Sequence, residues 1–172
     1  MTPTILLLAA VTMERLAELW LARRNTAALL AHGAYEVAPG HYSLIVSLHT
    51  LWLTGLWAIG WAAPLDIGWL TVFLALQLPR FWVIATLGER WTTRIIVLPG
   101  APLVTGGPYR FVTHPNYLVV IAEIAVLPLC LGMPRYALVF SIANLVVLWI
   151  RVRAENATFR GREQPSLSGP KS

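Results

Sequence analysis

With 172 residues, 57% of them apolar and only 12% charged, the chain falls outside the composition of soluble globular domains. Its mean hydropathy is positive, so the number of membrane spans matters more than the size of a soluble core. The net charge of +5 does not mark a nucleic-acid binder, because the basic residues are spread between hydrophobic runs and not gathered on one soluble face. The single cysteine, Cys130, excludes an intrachain disulfide, and no C-x-x-C or Cys/His cluster suggests a metal site.

A bilayer core of about 30 Å takes roughly 20 helical residues. Residues 3–22 form the first such run, interrupted by Glu14, Arg15 and Glu18. It lacks a basic leader and passes directly into the charged MERLAE stretch, so it is expected to stay as a helix and not to be cleaved as a signal. Residues 42–62 form the second run, in which His49 reads as a core histidine. Residues 67–87 form the third, with Arg80 following Pro79. Residues 88–116 make the longest structured loop. Residues 117–150 are too long for one crossing and are broken by Leu-Gly-Met-Pro at 131–134, which predicts a helical hairpin of 117–131 and 134–150 turning at Gly132 and Pro134. Residues 151–162 continue the last helix, and 163–172 form a tail expected to be disordered.

The expected architecture is an all-α integral membrane protein: five transmembrane helices in a single domain, residues 1–162, with the last two forming a hairpin. Arg23 and Arg24 follow span one, Arg90, Arg94 and Arg110 lie between spans three and four, and Arg151, Arg153, Arg160, Arg162 and Lys171 follow span five. Only Arg135 falls on the other side. The basic side is cytoplasmic by the positive-inside rule, which puts the N-terminus outside and the C-terminus in the cytoplasm. Trp61, Trp69, Trp91 and Trp149 sit near the predicted span ends, as interfacial anchors do. Ionisable groups at membrane depth are costly and face inward, so Arg80 is expected to pair with a carboxylate of span one or with Glu123.

The segment GGPYRFVTHPNY, residues 106–117, is polar and turn-rich between hydrophobic runs. Gly106, Gly107 and Pro108 disfavour continuous helix, Thr113 and His114 precede a second break, and Pro115 suits the first position of span four. Backbone this irregular is tolerated at a membrane where it lines a cavity. On the last helix Asn144, Arg151 and Glu155 stand seven and four residues apart, which places them on one face as a polar seam. Taken singly, Arg151 and Arg153 are topology charges, and Tyr109 and Tyr117 are interfacial anchors; their joint spacing suggests a site.

GPYRFVTHPNY, followed by a helical hairpin and then RVRAE, closely resembles the isoprenylcysteine carboxyl methyltransferase family, whose hallmark is G-x-Y-x-x-x-R-H-P-x-Y and then R-x-x-x-E. The upstream WTTRIIVLPGAPLV is similar to the bacterial branch, some of whose members resemble alkylpyrone O-methyltransferases. Thr113 stands where the family has Arg, and Asn156 where it has a second Glu. The resemblance implies an enzyme that binds S-adenosylmethionine in the loop 88–116 at the cytosolic surface of the bacterial inner membrane. It implies a cofactor wall of Ala101, Pro102, Leu103, Val104, Tyr109, His114, Pro115, Asn116 and Tyr117, with Glu155 and Arg94 as further contacts, Arg151 on the substrate, and no metal. Arg151, His114 and Glu155 are the catalytic candidates.

The implied substrate is a lipophilic small molecule entering from membrane lipid, methylated on a carboxylate or a hydroxyl. A carboxylate is already a nucleophile and needs an arginine to orient it. A phenol or enol needs a base, for which His114 or Glu155 is available. The competing expectations are a membrane reductase of the sterol-reductase type and a noncatalytic scaffold or transporter. The sequence carries no signal for an oligomeric state.

Overall fold

The computed structural model describes residues 2–37 and 39–162, and the tail expected at 163–172 lies outside the described residues. Five α-helices follow in chain order: α1 (Pro3–Ala31), α2 (Tyr42–Gly60), α3 (Ile67–Leu87), α4 (Pro115–Cys130) and α5 (Pro134–Arg162). Three stretches among the described residues, Tyr42–Gly60, Ile67–Arg90 (α3 with the turn after it) and Pro134–Arg153, are long and apolar enough to cross a membrane. Large apolar side chains point outward along these helices, Leu51 and Leu78 at 64% and 74% exposed, which suits a hydrocarbon surround and not water. The chain is an all-α integral membrane protein.

Each boundary has a local cause. The Thr2 side chain caps α1, and Asp66 caps α3 by accepting from the Trp69 amide at 3.0 Å. Pro115 occupies the first turn of α4 as expected. The α4–α5 turn closes on Gly132 at φ +66, with the Met133 amide donating to the Pro128 carbonyl at 2.9 Å. This is the predicted hairpin. By contrast, α1 does not stop near Ala22 but runs on to Ala31. Arg23 and Arg24 change its surroundings without breaking helix, and no breaker appears before Gly33. The α4 helix has 16 residues, about 24 Å at 1.5 Å per residue, and so is short for a bilayer. It packs between α3 and α5 and is the most buried of the five, which frees it from matching the lipid thickness.

The interior is layered. Leu8 and Val11 of α1, Trp52 and Leu56 of α2, Phe73 of α3, and Ile124, Leu127 and Cys130 of α4 form the larger apolar cluster. Ala22, Val83 and Trp91 form a second, nearer the long loop. Between them along α1, α3 and α4 lies a layer of charge. Arg80 donates to Glu18 and, at 2.6 Å, to Glu123. Arg15 donates to Glu18 at 2.9 Å and Glu123 at 3.2 Å, and the Gln77 amide reaches Glu123 at 3.2 Å. The expected pairing of Arg80 is met by both candidate partners at once. His49 bonds its own helix, Nδ1 lying 2.9 Å from the Ile45 carbonyl.

Trp91 is not an interfacial anchor. It is buried, because the loop after α3 folds back under the end of α1, where the Asn25 amide donates to the Gly88 and Trp91 carbonyls at 3.1 and 2.9 Å. The same fold creates an antiparallel pair of two-residue strands unforeseen from sequence, β1 (Tyr35–Glu36) and β2 (Ile96–Val97).

Candidate functional site

The loop between α3 and α4 is built from short pieces: a 3-10 turn at Gly88–Arg90, strand β2, an irregular stretch at 101–105, and a 3-10 turn at Gly107–Arg110. Gly107 has φ +56 and lies against Thr86 of α3, where any Cβ would collide with the threonine side chain. This contact docks the Tyr109 turn onto α3. Gly107→Ala is therefore expected to lower the melting temperature in detergent by roughly 4–15 °C, combining a left-handed backbone with overpacking. Adding Thr86→Ala should recover only the steric part. An unchanged melting curve for the single variant would show the turn to be undocked.

The loop and the base of α5 enclose a cleft of ≈ 490 Å³, within the range of small-molecule sites. Of the residues singled out in the sequence, Ala101, Pro102, Leu103, Val104, Tyr109, His114, Asn116, Tyr117, Arg94 and Arg151 all line it. Pro115 does not; it is buried at the start of α4, where it orients the residues on either side. The Glu155 side chain lies outside the described residues. Its backbone is helical, one turn beyond Arg151 on the same face of α5.

Arg151 is 9% exposed and fixed from two sides. Its Nε donates to the Tyr117 hydroxyl at 2.8 Å, and one Nη donates to the Thr93 carbonyl at 2.7 Å. Its guanidinium carbon lies 5.5 Å from the Tyr117 ring centroid, and the Tyr117 ring stacks on His114 at 5.0 Å. Arg151 lines the cleft, and its third nitrogen, Nη2, has no hydrogen bond among the described residues. A guanidinium so fixed and largely desolvated suits an oxyanion.

Arg94 is committed differently. One of its Nη atoms donates to Glu36 of β1 at 2.7 Å, and its guanidinium lies over the Tyr42 ring at 4.6 Å. The hydrogen bond to Glu36 raises its pKa from an already high value, so Arg94 stays cationic at every working pH. Arg90, which sequence reasoning did not place in the site, donates to the Pro102 carbonyl at 2.7 Å and pins the irregular stretch. The polar seam on α5 is interrupted. Asn144 is buried as its spacing requires, yet neither amide atom has a partner among the described residues, and it does not line the cleft. A second depression, beside the α4–α5 turn, is lined mostly by apolar side chains, Ile59, Met133, Val139 and Phe140 among them, with Arg135 and Tyr136 as its polar members.

Residues 69–160 match the model of the isoprenylcysteine carboxyl methyltransferase family. The chain belongs to that family. The matched stretch holds the cleft loop and the base of α5. The chain is also 37% identical to the uncharacterized protein YpbQ of Bacillus subtilis (strain 168), over 88% of this chain and 93% of that protein. A Haemophilus influenzae protein, also described as uncharacterized, is 26% identical over 87% and 90% of the two chains. No solved structure gives a significant match. Members of the family are methyltransferases that use S-adenosylmethionine, so a membrane methyltransferase is the class to which this fold is put.

The cleft has the size of a small-molecule cofactor site, and Tyr109, His114 and Tyr117 are aromatic side chains on its wall. Ile95, Ile96, Leu98 and Val104 supply apolar walls, and the irregular backbone of 92–105 offers peptide groups outside any helix ladder. Among the described lining residues the formal charges are three arginines, Arg90, Arg94 and Arg151, each hydrogen-bonded to the protein.

Proposed function

We propose that this chain transfers a methyl group from S-adenosylmethionine to an oxygen of a lipophilic acceptor, an isoprenoid or long-chain carboxylate or acidic hydroxyl. The observation that carries the reading is the Arg151 guanidinium, fixed at two points in the wall of a cleft of cofactor size. S-adenosylmethionine, when bound, supplies a sulfonium methyl group open to attack by an oxygen nucleophile. Tyr109, Tyr117, His114, Asn116 and residues 101–104 would hold it, with Arg94 at the rim and Glu155 as the anionic contact.

Arg151 orients the acceptor oxyanion. Holding reactants in near-attack geometry is worth roughly 7–11 kcal/mol of a barrier, and no metal or covalent intermediate is required. A carboxylate needs no proton removed. A hydroxyl acceptor passes its proton to His114 or Glu155. All five helices cross the bilayer in this reading, so the arginines at the cleft end lie in the cytoplasm of a bacterial inner membrane. Exposed Leu103, Phe111 and Leu118 give the cleft end an apolar flank by which an acceptor enters from lipid. Family membership favours this chemistry over a reductase or a scaffold.

Detergent-purified protein is expected to bind isotopically labelled S-adenosylmethionine saturably, with the affinity falling at least tenfold in Glu155→Ala. No binding at millimolar ligand would reject the reading. Labelled methyl is expected in organic-extractable product only when isoprenoid or long-chain acceptors are supplied. Equal transfer to small water-soluble acids would refute lateral entry.

A further inference from the structure

We infer that the segment joining α1 to α2 is a working part of the cleft, with Glu36 and Tyr42 as positioning residues that fix Arg151 through Thr93. The inference rests on the reading of Arg151 as the acceptor-orienting group. It concerns residues outside the 69–160 stretch that carries the family match.

The argument starts from the weakness of the cleft's outer wall. Strand β2 is held to β1 by two residue pairs, Tyr35 with Val97 and Glu36 with Ile96, extended by the Val37 amide donating to the Ile95 carbonyl at 2.9 Å. So short a ladder is marginal alone. Two side chains reinforce it just before β2. Glu36 takes the Arg94 guanidinium at 2.7 Å, and Tyr42, the first residue of α2, lies under the same guanidinium while its hydroxyl sits 3.2 Å from Thr93 Oγ1.

Thr93 joins the clamp to the site. Its hydroxyl meets Tyr42, and its carbonyl accepts from Arg151 at 2.7 Å. The other anchor of Arg151, Tyr117, stands on the first turn of α4. The guanidinium is thus suspended between a rigid helix and the bend that leads into β2, whose position depends on Glu36 and Tyr42. Loosening that strand moves one of the two anchors that aim Arg151, while the cofactor-facing residues 101–117 keep their own attachments to α3 and to Arg90.

Tyr42→Phe removes only the hydroxyl, and Glu36→Gln only the charge, so both variants should fold. Each is expected to lower acceptor kcat/KM about three- to tenfold, the effect of one hydrogen bond, with the dissociation constant for labelled S-adenosylmethionine unchanged within about twofold. Added to Arg151→Lys, Tyr42→Phe should cost nothing further, because it acts through the same guanidinium. Amide exchange at residues 93–97 should quicken by a similar factor in both variants, a readout independent of turnover. Wild-type exchange in both variants, or the full Tyr42→Phe loss persisting on top of Arg151→Lys, would overturn the inference. A wild-type protein that transfers no methyl would strike the proposed function, and the exchange measurement would still decide whether Glu36 and Tyr42 hold this wall.

Discussion

Arg151→Ala is expected to cut methyl transfer about 100- to 1000-fold, the range found when one preorganised donor is removed from an oxyanion. Binding of labelled S-adenosylmethionine should change by less than about threefold, because Arg151 is assigned to the acceptor. Arg151→Lys should recover part of the loss: it restores the charge without the planar fork that reaches Tyr117, Thr93 and an oxyanion together. The alanine variant also strands the Thr93 carbonyl, at a stability cost of about 1–3 kcal/mol. Retained cofactor binding is therefore the control for a folded cleft. Transfer by Arg151→Ala at more than half the wild-type rate would place the acceptor elsewhere.

Much of this architecture was legible in the sequence because membranes impose coarse rules. Apolar runs gave the five helices, Gly132 with Pro134 gave the hairpin turn, and seven-residue spacing put Asn144 and Arg151 on one buried face. The motif-bearing stretch 101–117 contributes residues 101–105, Tyr109, Thr113, His114, Asn116 and Tyr117 to one space because Gly107 and Pro115 fold it back on α3 and α4. What stayed hidden depends on long-range contact. Nothing local marks Tyr35 and Glu36 as a strand, since two residues carry no period and their partner lies about sixty residues on. Trp91 reads as an anchor until the loop folds over it. The extension of α1 past Arg23 was missed because a charge ends a hydrophobic run without ending a helix.

Arg80→Leu tests the charged layer that separates the two apolar clusters. Arg80 is 5% exposed and bonds Glu18 and Glu123 from different helices, while Arg15 bridges the same two carboxylates from the α1 side. With Glu14 beside them, the layer holds three carboxylates and two guanidiniums. Removing Arg80 leaves three carboxylates facing one cation in a region that lipid surrounds. Breaking one partner out of a buried ion pair costs about 3–5 kcal/mol, a large share of the stability of an ordinary domain. The melting temperature in detergent should fall by roughly 6–20 °C, or the folded protein should be lost on extraction. Arg80→Lys should fall between the two, since an ammonium cannot hold both acids with a planar fork. The triple change Arg80→Leu, Glu18→Gln, Glu123→Gln leaves Glu14 and Arg15 balanced and should regain at least half of the lost stability, even though it removes more polar groups. That recovery separates unpaired charge from lost packing as the cause. If Arg80→Leu melts within about 2 °C of the wild type and still transfers methyl, the three helices are held by their apolar contacts alone, and the ionic layer does not join α1 to α3 and α4.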